Sequence, residues 1–548
     1  MHRTTLGLSV IVLIFAAAIT LLAAFVPVYG DESATVMMRG MFLSNGAKLN
    51  TLLPQCGSEY LFSVPWSLYP GALLSAALYN STIPWILRAI GVMTWGVGLV
   101  VMWAWMSVWF ASREGRRLGF VVLVGVGSLG VQGLVMPMVR AEQILVLMMA
   151  AYCCAPALAA RLRGRVAMLL FSAAFVVATS FVFYLHPKTL FFFPLALASA
   201  ILSFARRNRP LCVVVSGLVV ACAVQSLVFF SAMTKCGDAP ALSRIFAEQT
   251  VSPSLLGQSP LAFLTALWTN VTTTSMGIWH HALFQDTYQS AWLVAQPGLT
   301  NHVFVRYLNT AIDASAFGVF VLACVLPGVA LASWVASRLS NPNGWLLLTL
   351  WAAFIGHAAI YRVWNFYTGV PMMYMASALV IISLSMFRWR SWAMYGALLS
   401  AFGATGLLIA TVAVLGFPMA PRIVESALHD STLAEQPFSV PTFRYRAERD
   451  LIRRVAAQCG IPAEGGRRLI VDPMSLGAFS SLSEPLESDY LFTPSFGADL
   501  MKSDGLEKLL RKTGATRFVG RCTFLPAQYA PIARREGQIC CFDLDTPR

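Results

Sequence analysis

Apolar runs of roughly 20 residues recur along the chain and set its plan. They fall at 6–28, 83–111, 118–138, 142–160, 166–185, 189–205, 211–233, 311–336, 345–364, 367–387 and 391–417. The pattern predicts about eleven membrane-spanning helices, the sixth following the fifth after a short break. Beyond Pro418 the pattern changes. Tyr445 to Gln458 reads as a helix, Arg468 to Asp472 as a strand and Gly505 to Lys512 as a helix. Thr516 to Val519 and Gln538 to Phe542 read as further strands. The expected fold class is therefore mostly α. It is a polytopic helical membrane protein, 1–417, with a small C-terminal α/β domain, 418–548, divided at Pro418 and Pro421. No internal repeat and no low-complexity tract is visible.

Composition narrows this plan. Charged residues make up 12% of the chain and hydrophobic residues 57%, whereas soluble domains carry about 25% charged residues. A soluble enzyme is excluded. The net charge of +14 suggests nucleic acid until it is located. The tail from Pro418 holds 17 basic and 16 acidic residues, so the excess lies in the membrane part, in short loops. Arg3, Arg113/Arg116/Arg117, Arg161/Arg163/Arg165, Arg206/Arg207/Arg209, Arg338 and Arg388/Arg390 total 13 against a single acid, Glu114. This is the positive-inside asymmetry, and it accounts for the basic charge without nucleic acid. It places the N-terminus in the cytoplasm and the C-terminal domain outside. The first run has too long an apolar core for a signal peptide and no small-x-small cleavage site, so an uncleaved span is expected.

Three segments then face outward: a first loop at about 30–81, a second at about 235–309, and the tail. The first has Pro, Trp and Tyr residues suited to interfacial helices, and the second carries apolar patches such as Leu261-Ala262-Phe263-Leu264. Six cysteines (Cys56, Cys236, Cys459, Cys522, Cys540 and Cys541) all fall in these segments, which points to disulfides in an oxidising compartment. A Cys56–Cys236 bond would tie the first loop to the second; unpaired thiols are the plainer alternative. The remaining five cysteines lie in spans and read as small apolar residues.

Ionisable residues at a membrane edge are costly and mark function by default. Here they gather at one depth. Asp31 and Glu32 directly follow the first span. Arg140 and Glu142 sit between the third and fourth, His186 and Lys188 between the fifth and sixth, and Arg362 ends the ninth. Each alone has a bland reading. Arg140 and Arg362 could snorkel to headgroups, Glu142 could favour a helix N-terminus, His186 could be a turn residue, and Asp31-Glu32 could stop a span. Together they place three carboxylates and three cations at one edge. A carboxylate there suits a general base on an acceptor hydroxyl, and the cations suit a leaving phosphate. A substrate reaching that edge from the bilayer is a lipid phosphate, so the combination suggests group transfer, most commonly of a sugar.

These residues resemble a known family, the GT-C membrane glycosyltransferases, in particular the branch of protein O-mannosyltransferases and the lipid A aminoarabinose transferase. The resemblance rests on Gly30-Asp31-Glu32 after the first span, Arg140-Ala-Glu142 at the head of the fourth and His186-Pro187-Lys188 before the sixth, in that order and on one side. It covers about 1–417. It implies an inverting transfer from a polyprenyl-phosphate sugar donor to a glycan, lipid or protein acceptor, at the outer face of a bacterial inner membrane. It implies Asp31 as general base and Glu32 as the residue orienting Asp31 or the acceptor. Arg140, Lys188 and Arg362 become candidates for the donor phosphate, with His186 as a hydrogen-bond donor beside it and Glu142 in support. No cofactor is expected and no metal site is assigned, although His280-His281 in the second outer loop are conceivable ligands. Membrane lipid is an expected partner, and nucleic acid is not. The rival readings are a transporter or flippase of a lipid-linked substrate, which more often shows repeats or broken mid-membrane helices, an oligosaccharide polymerase or ligase, and a non-catalytic scaffold.

Overall fold

The structure of the chain is a computed structural model. It describes residues 2–50, 61–234, 250–252, 254–274, 283, 301–337, 343–362, 366–386, 391–429, 439–440, 442, 445–463, 465, 469–479, 486–487, 510, 514–525 and 527–544. Ten helices among these are long and apolar enough to cross a membrane. They correspond to ten of the eleven apolar runs. Leu21, Val100, Leu170, Val213 and Leu399 on different helices are each more than half exposed. That apolar exterior is what lipid replaces water against. Helices Ala141–Arg161 and Phe366–Met386 are the most enclosed of the set. The first packs on Pro84–Trp109 and Phe193–Phe204, and the second on Val303–Ala336.

The eleventh run, 118–138, is not one helix. Helix Arg113–Gly127 stops, a turn follows, a four-residue helix spans Gln132–Val135, and irregular backbone leads to Arg140. Gly130 takes the left-handed φ of 59° that the turn requires. The irregular backbone stays viable because its polar groups are met internally. Gln143 Nε2 donates to the carbonyls of Gly91 (2.6 Å) and Met136 (2.5 Å), and Glu32 accepts from the Val139 N–H (2.7 Å). Apolar periodicity cannot register such a break, because both halves remain buried and apolar. Of the about eleven runs expected, 118–138 is thus the one that the described residues show as two short helices and a turn.

The segment after helix His2–Ala24 begins with a two-residue strand, β1 (Val28–Tyr29). Helix Gly30–Thr35 begins at once and runs into a wider π-type turn, Val36–Gly40. A short hairpin follows, β2 (Lys48–Asn50) with β3 (Leu61–Ser63), and then helix Tyr69–Leu78, packed on Arg165–Leu185.

The last membrane helix, Ser391–His429, passes through Pro418 and Pro421 instead of ending there. Two prolines three apart remove their N–H donors from one helix face, a loss that helices in a membrane setting tolerate. After it, β4 (Ser439–Val440) pairs antiparallel with β1, directly before Asp31. The remaining strands are β5 (Leu469–Val471), β6 (Leu486–Glu487), β7 (Arg517–Arg521), β8 (Arg534–Glu536) and β9 (Ile539–Asp543). They form one sheet in the order β6-β5-β7-β9-β8. β6, β5 and β7 run parallel, and β9 and β8 are antiparallel. Helix Tyr445–Gln458 packs on this sheet, at the limits its periodicity predicts. Disulfides Cys459–Cys541 and Cys522–Cys540 staple it. Most of the predicted helix 505–512, as well as Cys56 and Cys236, lies outside the described residues.

Candidate active site

Asp31 and Glu32 are consecutive in a helix, so their side chains diverge by about 100°. That turn gives them opposite surroundings. Glu32 points inward and is fully buried. Its two oxygens form a bidentate pair with Arg88, at 2.9 Å each, and also accept from the backbone N–H groups of Tyr29 (3.0 Å) and Val139 (2.7 Å). Arg88 Nη2 also donates to the carbonyls of Val26 (3.2 Å) and Pro27 (2.9 Å). One buried ion pair thus knots the first span, the acidic helix, the head of helix Pro84–Trp109 and the approach to the fourth span. Glu32 was expected to orient Asp31 or the acceptor. Both of its oxygens are committed to this knot, next to Asp31 in the chain.

Asp31 points the other way and is one-third exposed. Its Oδ2 receives Arg140 Nη1 at 2.6 Å. Arg140 Nε donates to Glu142 Oε2 (3.2 Å), and Lys188 Nζ donates to Glu142 Oε1 (2.9 Å). The result is a row of alternating charge, Asp31–Arg140–Glu142–Lys188, with only its first member substantially open. Local structure aims each member. Arg140 is the residue before helix Ala141–Arg161, Glu142 lies in the first turn of that helix, and Lys188 lies in the 3₁₀ turn Pro187–Phe192. Aromatic faces support the cations: Arg140 Cζ lies 5.7 Å from the Tyr29 ring centre, and Lys188 Nζ lies 5.4 Å from that of Tyr361.

His186 caps the 3₁₀ turn, its Nδ1 accepting the Lys188 N–H at 3.1 Å. Burial, followed by the nearby Lys188 charge, holds the imidazole well below its ordinary pKa. It is therefore neutral, and an accepting Nδ1 leaves the proton on Nε2. The turn reading of His186 holds geometrically, and the Nε2–H is left to donate elsewhere.

Arg362 stands apart from the row. It follows Tyr361, which stacks on His357 at 4.8 Å. Asn270 Nδ2 clamps this stretch through the carbonyls of Ala359 (2.9 Å) and Tyr361 (2.7 Å). Arg362 is exposed and lines a cavity of about 800 Å³ with Ser259, Leu261, Ala262, Thr265 and Ala266. Helix Pro260–Thr269 buries none of its residues, and Leu261 and Trp268 are at least 70% exposed. Such a helix is suited to lying on a bilayer.

The arginine clusters among the described residues sit at the other helix ends, as at Arg161 and Arg207. Arg116 Nε donates to the Phe110 carbonyl (2.8 Å), and Arg207 donates to those of Ala160 and Leu162. Among the described residues no cluster of three or more His, Cys, Asp or Glu could hold a metal. His280 and His281 lie outside them.

Sequence reasoning missed Arg88, Arg39, Tyr29 and Tyr361. The rule that marked Arg140, a charge at a membrane edge, also applies to Arg88 five residues into its run. The aromatic faces carry no such signal.

The fold and the charged row define a polytopic helical membrane protein with an ionic site at one end of its bundle. No family model and no curated protein matches the chain. Among solved structures it is similar to a crystal structure of the Archaeoglobus fulgidus oligosaccharyltransferase complexed with Zn and sulfate. That match has a TM-score of 0.45 and 12% identity, and covers 93% of this chain and 68% of the other. The apo form of the same protein matches with a TM-score of 0.45 and 11% identity, over 94% and 69% of the two chains.

Proposed function

We propose that the protein is an inverting glycosyltransferase. It would move a sugar from a polyprenyl-phosphate donor to a glycan, lipid or protein acceptor on the outer face of a bacterial inner membrane. The observation that carries this reading is Asp31: an accessible carboxylate whose orientation is fixed by a buried row of counter-charges. In this scheme the acceptor oxygen attacks the anomeric carbon and its proton passes to Asp31. The bond from that carbon to the phosphate oxygen breaks, and polyprenyl phosphate leaves with the electron pair. Arg140 aims Asp31, and Lys188 and the Nε2–H of His186 stabilise the departing anion. Arg362, beside the exposed apolar helix, meets the donor phosphate on its way in from the bilayer. Glu142 holds Arg140 and Lys188 in register, and Glu32 holds the loop. No metal takes part in this scheme.

The broken third crossing favours a second reading, a flippase for the same lipid-linked substrate, because discontinuous helices are frequent at transport sites. A strain lacking the protein separates the two. The transferase reading expects one envelope component to lose a sugar while the lipid-linked sugar accumulates on the outer leaflet. The flippase reading expects it to accumulate on the cytoplasmic leaflet.

A further inference from the structure

The ionic row has one cation too many. Arg39 lies in the π-type turn that follows the acidic helix and is 6% exposed. Its described hydrogen bonding is one long contact, from Nη1 to Thr35 Oγ1 at 3.5 Å, and its buried Nε has no partner. Tyr184 and Tyr79 lie close enough to act on its charge, as does the Glu142 carboxylate. That carboxylate is already shared by Arg140 and Lys188. The Tyr184 hydroxyl, equally buried, also has no partner. Around Glu142 the described residues therefore gather three cations, Arg39, Arg140 and Lys188, against two carboxylates, Asp31 and Glu142. His186 lies among all three cations as a neutral donor.

A buried cation without a partner costs several kcal/mol and persists where something else neutralises it. Among the described residues nothing else supplies that neutralisation. We propose that Arg39, with the Tyr184 hydroxyl and the Nε2–H of His186, completes a binding site for one phosphate anion, and that the resting site stores Arg39 uncompensated for that purpose. The identification of the anion as an isoprenoid phosphate rests on the transferase reading; the anion site itself does not. Arg39 then adds positive charge that the row alone lacks, because Arg140 and Lys188 share theirs with Asp31 and Glu142.

The test uses the full-length protein in a non-ionic detergent, where no lipid phosphate competes. Thermal unfolding is followed with farnesyl phosphate, farnesol and inorganic phosphate as probes, for wild type, Arg39→Met, Arg39→Lys and Tyr184→Phe. The unliganded Arg39→Met protein should melt at or above the wild-type temperature, since an unpaired buried charge is gone. Its affinity for farnesyl phosphate should fall by about tenfold or more, the worth of a charge-assisted bond. Arg39→Lys should retain part of that affinity, and Tyr184→Phe should lose less than Arg39→Met. If inorganic phosphate binds as tightly as farnesyl phosphate, the anion alone is recognised; if it binds more weakly, the chain contributes. Wild type that does not distinguish farnesyl phosphate from farnesol would overturn the lipid-phosphate reading itself. Wild type that prefers the phosphate, with the preference intact in Arg39→Met, would overturn the role of Arg39 alone. An Arg39→Met protein that melts well below wild type would also count against it, since it would mark Arg39 as structural.

Discussion

Two ion networks lie a few ångströms apart and are built from neighbouring residues, yet they are opposites. The Glu32–Arg88 knot is closed. Both carboxylate oxygens are filled, charge is balanced one for one, and the pair is dry. The Asp31–Arg140–Glu142–Lys188 row is open at one end, where Asp31 meets solvent, and carries an added cation in Arg39. A closed pair fixes geometry and has nothing left to offer a substrate. An open row can take a proton at one end and an anion beside the other. Breaking a buried pair typically costs 3–5 kcal/mol because it strands a charge, whereas changing the accessible Asp31 strands little. The two networks should therefore fail in different ways.

The largest effect is expected on turnover at Asp31. Asp31→Asn should lower transfer by a factor of roughly 100 to 10,000, the usual loss of a general base. Its melting temperature should stay close to wild type. Next, Glu32→Gln and Arg88→Ala should destabilise the fold by about 3–5 kcal/mol, read as a large drop in melting temperature. Any folded fraction should keep much of its turnover. An Arg88→Ala protein as stable as wild type would dissolve the distinction between the networks. Smaller again, Lys188→Ala and Arg362→Ala should each raise the apparent donor KM by about tenfold, the worth of one charge-assisted contact. Arg206→Ala, at the arginine-rich end, should leave it unchanged.

The smallest effect concerns pH. His186 is held below its ordinary pKa in the fold. As pH falls through about 6.5 the unfolded chain gains this proton and the folded one does not. The contribution of His186 is thus fully present above that pH and is lost on acidification. Acid melting curves of wild type and His186→Gln should converge between pH 7 and 5. Convergence in the opposite direction would mean a charged imidazole in the site.

Much of this arrangement is legible in the sequence because it depends on burial and sidedness. Ten spans, the depth shared by Asp31, Arg140, Glu142 and Lys188, and the helix and strands of the tail all follow from apolar periodicity and from charge beside it. Pairing depends on direction, which periodicity does not carry. Nothing in the adjacent letters Asp31-Glu32 shows that a helix turn sends one to solvent and the other to Arg88. The break at Gly130 is hidden because its two flanks are equally apolar. Pro418 and Pro421 suggested a boundary that the helix passes through. The even cysteine count in the outer segments suggested disulfides, but the pairing of Cys459 with Cys541 and of Cys522 with Cys540 needed the sheet order.

Mass balance on the donor tests the central claim most directly. Purified protein in lipid vesicles would be given a polyprenyl-phosphate sugar labelled in both sugar and lipid, together with an envelope extract as acceptor. The account predicts that polyprenyl phosphate appears one for one with sugar attached to acceptor, in wild type and not in Asp31→Asn. Recovery of the donor intact, moved across the bilayer by both proteins alike, would contradict it.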